Sequence, residues 1–294
     1  EQLVIHQEIK IEVCGFETNQ LALDIAGARI KQLFPSVTVH FEKGNFLEYI
    51  LEHYGASNNV SLFGPTVPEN YDLIIANPPY VRTQILGARQ TQILAGQFEL
   101  SGRIDLYYAF ILGMAQVLKP QGIAGIIVSN RFMTTRSGAA VRQAILERFN
   151  LHQVWDLGDT KIFDAAVLPA VLLAEGKNAQ KHVIPKFTSI YETHRSSTVE
   201  ASTPIKAISH TGVIKIEDGR CFLVQHGTLK IDGSTQGVWR IATNENNSWL
   251  ATVKAHTWGT FGDIGKIRVG VKTCADKIFI RSDWADIPKT ERPE

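Results

Sequence analysis

The sequence predicts an α/β domain in which strands and helices alternate around a doubly wound sheet, and three observations carry that expectation. Short apolar runs of six to eight residues recur along the first half of the chain. Between them lie stretches whose apolar positions repeat every three or four residues. Prolines and glycines punctuate the joints. The chain has 294 residues, 44% hydrophobic and 20% charged, which is enough for one large or two modest domains with real cores.

Taken in order, Ile9–Phe16 (IKIEVCGF) and Thr38–Phe41 read as strands, joined by a helix over Asn19–Leu33. Tyr71–Ala76 (YDLIIA) is a buried-strand run stopped by the prolines that follow it. Ile104–Leu118 reads as a helix with Asp105 near its start and Pro120 just past its end. Gly122–Ser129 (GIAGIIVS) is another buried strand, Gly138–Phe149 a helix carrying Arg142 and Arg148, and Val154–Leu157 and Val167–Ala174 complete the set. The character changes near Gly176–Lys181. Beyond it come short strand-like runs (Val183–Phe187, Gly212–Ile216, Cys221–Leu223, Val238–Ile241, Ile278–Ile280) between Gly, Ser, Asn and Thr clusters. The expected organisation is therefore a main domain over 1–180 and a smaller, mixed or β-rich region over 181–294.

Composition excludes several classes. No apolar run reaches the roughly 18–20 residues of a bilayer span, so no membrane partner is expected. Three cysteines, Cys14, Cys221 and Cys274, lack CxxC spacing, and an odd, dispersed set fits a reducing compartment. Nine histidines show neither HxxxH nor HExxH, so no metal site is expected. The net charge of +1 hides an asymmetry: residues 1–81 hold 4 Lys/Arg against 10 Asp/Glu, whereas 82–148 hold 8 against 3, seven of the eight being Arg. A basic block after an acidic one suits a nucleic-acid-facing surface, although solvated helix faces give the same count.

The chemistry concentrates in Asn77-Pro78-Pro79-Tyr80, directly after the YDLIIA strand. Ligands of open α/β sheets bind at the carboxyl ends of strands, where this string falls. An exocyclic amine on a planar ring is a poor nucleophile because its lone pair is delocalised. Two acceptors on its N–H bonds draw the nitrogen towards tetrahedral geometry and localise that pair. The Asn77 side-chain oxygen and the Pro78 carbonyl are the candidates, with proline fixing φ and removing a competing N–H. Tyr80 offers an aromatic face for a planar base.

NPPY in this context resembles the S-adenosylmethionine-dependent amino-methyltransferases, most closely the adenine-N6 DNA methyltransferases of the TaqI-like gamma group, and the similarity covers nearly the whole chain. The resemblance implies a Rossmann-like class I methyltransferase domain followed by the start of a target-recognition domain. It implies catalytic roles for Asn77, Pro78, Pro79 and Tyr80, with Asn77 and Pro79 also lining the cofactor pocket. Cys14-Gly15-Phe16-Glu17 looks like the family's second cofactor segment, with Glu17 on the ribose hydroxyls. Gly44-Asn45-Phe46-Leu47 stands where the family has Gly-Asp-Phe-Leu. Asn45 keeps a carbonyl that can accept from the cofactor's adenine amine but loses the charge, and Phe46 packs on the adenine. Gln121 in Leu118-Lys119-Pro120-Gln121-Gly122 replaces a more common Gly. Trp155–Ala174 resembles the late hairpin whose aromatic residue meets the flipped base, with Phe163 the candidate; a core Phe is the alternative.

Arg82, Arg131 and Arg136, with Lys266, Arg268 and Lys272 at the entrance to the recognition domain, are the expected contacts to double-stranded DNA. The family's first strand and Gly-rich loop are expected upstream of residue 1, since none of the 23 glycines forms GxG, which makes this an internal fragment. The parent is expected to be a cytoplasmic prokaryotic restriction–modification enzyme, with an endonuclease domain in the same chain as a further expectation. Two other readings stay open: an amino-methyltransferase of RNA or of a release-factor glutamine, and a non-catalytic DNA-recognition fragment.

Overall fold

The computed structural model describes residues 10–54, 70–80, 92, 93, 96, 106–163, 167–177, 184–232 and 237–265. The chain divides into two compact units, 1–243 and 244–294.

The first unit opens with strand β1 (Glu12–Glu17), helix α1 (Gln20–Leu33) and strand β2 (Thr38–Lys43). The two strands pair in parallel, from Glu12 opposite Thr38 to Glu17 opposite Lys43, as a βαβ crossover requires. Asn19 starts α1 by accepting the Ala22 N–H on its side-chain oxygen at 3.2 Å. Helix α2 (Phe46–Tyr54) follows directly and buries Leu47 and Ile50. The sequence pattern alone places a cofactor segment here and no helix.

A nine-stranded sheet forms the rest of this unit. Its strands are β3 (Tyr71–Ala76), β4 (Leu118–Ser129), β5 (Phe149–Asp156), β6 (Pro169–Gly176), β7 (Lys186–Glu192), β8 (Glu200–Ala201), β9 (Gly212–Ile216), β10 (Cys221–Ile231) and β11 (Trp239–Ala242). They lie in the order β3-β4-β6-β5-β7-β10-β9-β8, with β11 also on β10. β3 and β4 are parallel, β6 runs antiparallel to both β4 and β5, and β5 and β7 are parallel again. The antiparallel β5–β6 pair is the late hairpin expected over Trp155–Ala174.

Helices α3 (Tyr107–Val117), α4 (Ala139–Arg148) and α5 (Pro204–Ala207) punctuate these strands. Most of α3 is buried, including Tyr107, Ile111, Leu112 and Met114, and an all-round apolar helix belongs in a core. It packs with Ile50, Ile126, Val128, Ile145 and Leu172 in the main hydrophobic cluster. A second cluster gathers Leu157, Ile190, Ile214, Ile216, Phe222 and Val224. On β3 the burial is uneven: Ile74 packs on the main cluster, while Leu73 and Ile75 are 51% and 83% exposed. Leu73 lies opposite Ile123 of β4, also exposed.

Three expectations change, the first being β3 itself, read as a buried strand but exposed along one face at Leu73 and Ile75. The Leu118–Gly122 turn lies within β4, where the register slips between the Tyr71–Leu118 and Leu73–Ile123 pairs. Gln121 takes φ 67° there, the left-handed region glycine enters most cheaply. The shift in character near Gly176–Lys181 does not end the first unit. β7 hydrogen-bonds to β5 on one side and β10 on the other, so the pattern passes from α/β alternation to a mixed, mostly antiparallel set of strands within one sheet.

The second unit, in its described part, contains helices α6 (Asn244–Ala255) and α7 (Phe261–Ile264). Thr260 and Asp263 form a capping box on α7. The strand expected over Ile278–Ile280 lies outside the described residues. Among the described residues no helix is long and apolar enough to cross a membrane.

Candidate active site

Two neighbouring strand ends build the first half of the site. Glu17 closes β1, and its main-chain carbonyl accepts the Gly44 N–H at 3.1 Å, which holds the Asn45 segment beside it. The Glu17 carboxylate accepts from the Asn19 N–H at 2.9 Å and the Thr18 hydroxyl at 3.2 Å. These bonds, the Asn19 N–H first, hold its carboxyl below the usual range, so an exposed anion marks the end of β1. Asn45 turns its side-chain oxygen onto the Leu47 N–H at 3.0 Å, and its carbonyl accepts from Glu48 and Tyr49. It is the N-cap of α2, and the oxygen expected on the cofactor's amine already serves the helix.

Phe46 is half-buried among aromatics. Its ring centroid lies 5.6 Å from Phe16 and 5.8 Å from Phe110 of α3, the latter nearly parallel. Gly113 permits this approach, because a Cβ there would stand 3.1 Å from the Phe46 ring. Phe16 also meets Tyr49 at 4.9 Å.

The second half sits at the end of β3. Asn77 and Pro79 are exposed, Pro78 is buried and Tyr80 half-buried. Two successive prolines remove the N–H donors that a continuing strand would need. The chain turns, and the Tyr80 hydroxyl donates to the Asn77 side-chain oxygen at 2.9 Å. The side-chain oxygen of Asn77 thus faces the phenol, with the amide nitrogen on its other side. Burial pushes the Tyr80 phenol up, so it stays a neutral donor. Its ring meets Tyr107 edge-on at 6.3 Å.

Helix α3 joins the halves. Tyr107 touches Tyr80 and Phe110, one turn on, touches Phe46, and residues three apart share a helix face. The acidic, aromatic β1–β2 end and the Asn77 turn thus converge on the first turn of one buried helix.

The remaining expected residues divide. Phe163 follows β5 and is 38% exposed, so it is not a core residue. Arg131 and Arg136 are exposed on short 3-10 turns after β4. Arg82, Lys266, Arg268 and Lys272 lie outside the described residues. Arg142, counted in the basic block, is only 3% exposed. Its guanidinium donates to the carbonyls of Phe132 at 2.5 Å, Thr135 at 2.8 Å and Gly237 at 2.8 Å, tying the turn after β4 to the chain entering β11. Sequence reading also misses a partly buried cluster where β4 and β5 end: Asp156, itself buried, accepts from Asn130 Nδ2 at 2.9 Å and from the Tyr191 hydroxyl at 2.8 Å. Among the described residues no three His, Cys, Asp or Glu side chains group as metal ligands.

The family described as Eco57I restriction-modification methylase matches residues 17–163, from Glu17 to Phe163. The chain belongs to this family. Type II methyltransferase M.BanIII of Aneurinibacillus aneurinilyticus is 35% identical over 295 residues, covering 97% of this chain and 50% of that protein. Type II methyltransferase M.BstVI of Geobacillus stearothermophilus is 27% identical over 229 residues, 71% of this chain and 37% of that one. The chain therefore spans half or less of the length of these methylase relatives. Among solved structures, the type IIG restriction endonuclease BpuSI aligns over 73% of this chain and 24% of its own, with 13% identity and a TM-score of 0.47.

Proposed function

We propose that this methylase segment belongs to a restriction–modification enzyme that transfers a methyl group from S-adenosylmethionine to N6 of an adenine flipped out of duplex DNA. The observation that carries the reading is the Asn77 side-chain oxygen, exposed at a strand end and oriented as an acceptor by a phenol 2.9 Å away. A substrate amine that replaces the phenol finds one acceptor at Asn77, and the Pro78 carbonyl is assigned as the second. Together they localise the nitrogen lone pair. The Tyr80 ring, released from that bond, supplies a stacking face.

The residues at the ends of β1 and β2 fit an adenosyl group. The Glu17 carboxylate, held ionised, suits a ribose diol. Phe46 and Phe16 offer an apolar wall for a purine, and Asn45 keeps an amide N–H at its edge. Pro79 completes the lining beside Asn77. S-adenosylmethionine supplies a methyl group on a sulfonium, an electrophile that needs no further activation. Binding the cofactor and orienting the amine fall on the protein, and this chain contributes the residues named above.

Arg131 and Arg136, both exposed, are assigned to phosphate contacts with Arg82, Lys266, Arg268 and Lys272. The family name supports an endonuclease for the same site, in the parent chain or beside it, as the functional partner. The test is methyl transfer from tritiated S-adenosylmethionine to duplex DNA, ribosomal RNA and release factor offered side by side, followed by nucleoside analysis of the labelled product. Label in DNA as N6-methyladenine, reduced about 10²-fold or more by Asn77→Ala, is the expected result. Label in another acceptor, or an active Asn77→Ala variant, overturns the assignment.

A further inference from the structure

The rim that carries Phe163 is built less by the strand it leaves than by strands far downstream. Asp156 ends β5 and is 8% exposed. One of its oxygens accepts from Asn130 Nδ2 at 2.9 Å and from the Gly158 N–H at 3.3 Å, and the other accepts from the Tyr191 hydroxyl at 2.8 Å. Asn130 Nδ2 also donates to the Tyr191 oxygen at 3.2 Å. Asn130 is the first residue beyond β4, Asp156 the last of β5, and Tyr191 lies on β7. One phenol therefore joins the two chain segments leaving β4 and β5.

The following residues are tied to the same strands. The Glu192 N–H donates to Asp159 at 2.8 Å, and Arg220 donates to the Thr160 carbonyl at 3.3 Å. Leu157 and Ile162 pack into the second hydrophobic cluster with Ile190, Ile214 and Phe222. Gly158, at φ 47°, leaves room for the Tyr191 ring, which a Cβ would meet at 2.8 Å. Burial, reinforced by the neighbouring carboxylate, pushes the Tyr191 phenol up, so it remains a hydroxyl donor at any working pH.

We propose that Tyr191 is a positioning residue for base binding. Through Asp156 and Asn130 it sets the rim over 157–163, which carries Phe163, and the turn after β4, which carries Arg131 and Arg136. The inference rests on the reading of Phe163 as a base contact. It assigns a role in the active site to a strand that sequence reading put beyond the catalytic domain.

Tyr191→Phe keeps the ring against Gly158 and removes only the donor. Hydrogen–deuterium exchange of the whole protein is the first measurement. Exchange in peptides covering 157–163 and 130–138 is expected to rise about tenfold, with peptides covering α2 and α3 unchanged. Unchanged exchange at the rim, or a rise throughout the protein, overturns the positioning role. Steady-state methylation is the second. A KM for duplex DNA raised about fivefold, with kcat within a factor of two, supports the proposal. A loosened rim with an unaltered KM defeats the base-contact reading of Phe163 and leaves the strut in place.

Discussion

Asn45 shows how one atom alters a binding edge. Its oxygen caps α2 at 3.0 Å from the Leu47 nitrogen, which leaves the amide nitrogen, a donor, as its other polar end. A carboxylate has a second oxygen, so Asn45→Asp keeps the cap and adds an acceptor for the cofactor's amine. Calorimetry with S-adenosylhomocysteine is expected to show about five- to tenfold tighter binding, roughly 1–1.4 kcal/mol. Unchanged affinity would remove Asn45 from the cofactor edge. The Asn77 turn was legible because its chemistry is a contiguous string after an apolar strand. The hydroxyl on Asn77 and the cap at Asn45 were not, since composition records which groups are present and not which lone pairs are already engaged.

At the scale of elements, Arg142 gives the clearest lesson. Counted by charge it belongs with Arg131 and Arg136, but α4 turns it inward onto three carbonyls. Burial lowers its pKa from the ordinary arginine value, and no carboxylate is among those three acceptors. Removing it leaves the carbonyls of Phe132, Thr135 and Gly237 without this donor. Arg142→Met is expected to cost about 2–4 kcal/mol and to lower Tm by roughly 5–15 °C in scanning calorimetry. An Arg facing DNA would change salt-dependent binding instead and leave Tm alone. The strands themselves were legible from apolar runs, although their ends were not. β5 starts five residues before the expected Val154 because Phe149, Asn150 and Leu151 already pair with β6, a partner that local pattern does not reveal.

For the whole molecule, the continuity of the sheet decides what folds together. A chain ending at Gln180 loses β7 and with it the second hydrophobic cluster around Ile190, Phe222 and Val224. That truncation is expected to bind hydrophobic dye and to lose a cooperative thermal transition. A chain ending at Thr243 retains every strand of the sheet and is expected to keep one. Equal cooperativity in the two would restore the boundary near residue 180. The sequence changes rhythm near residue 180, whereas hydrogen bonds between β5 and β7 bridge residues some thirty apart, a continuity that local pattern does not reveal. The exposed side chains of Leu73, Ile75 and Ile123 bear on a different matter, the behaviour of this chain in concentrated solution. Adjacent apolar side chains on neighbouring strands form a sticky strip, and near-zero net charge provides little long-range repulsion to keep copies apart. Ile75→Lys is therefore expected to lower self-association of this chain, read by light scattering at high protein concentration, without touching the buried face of the same strand.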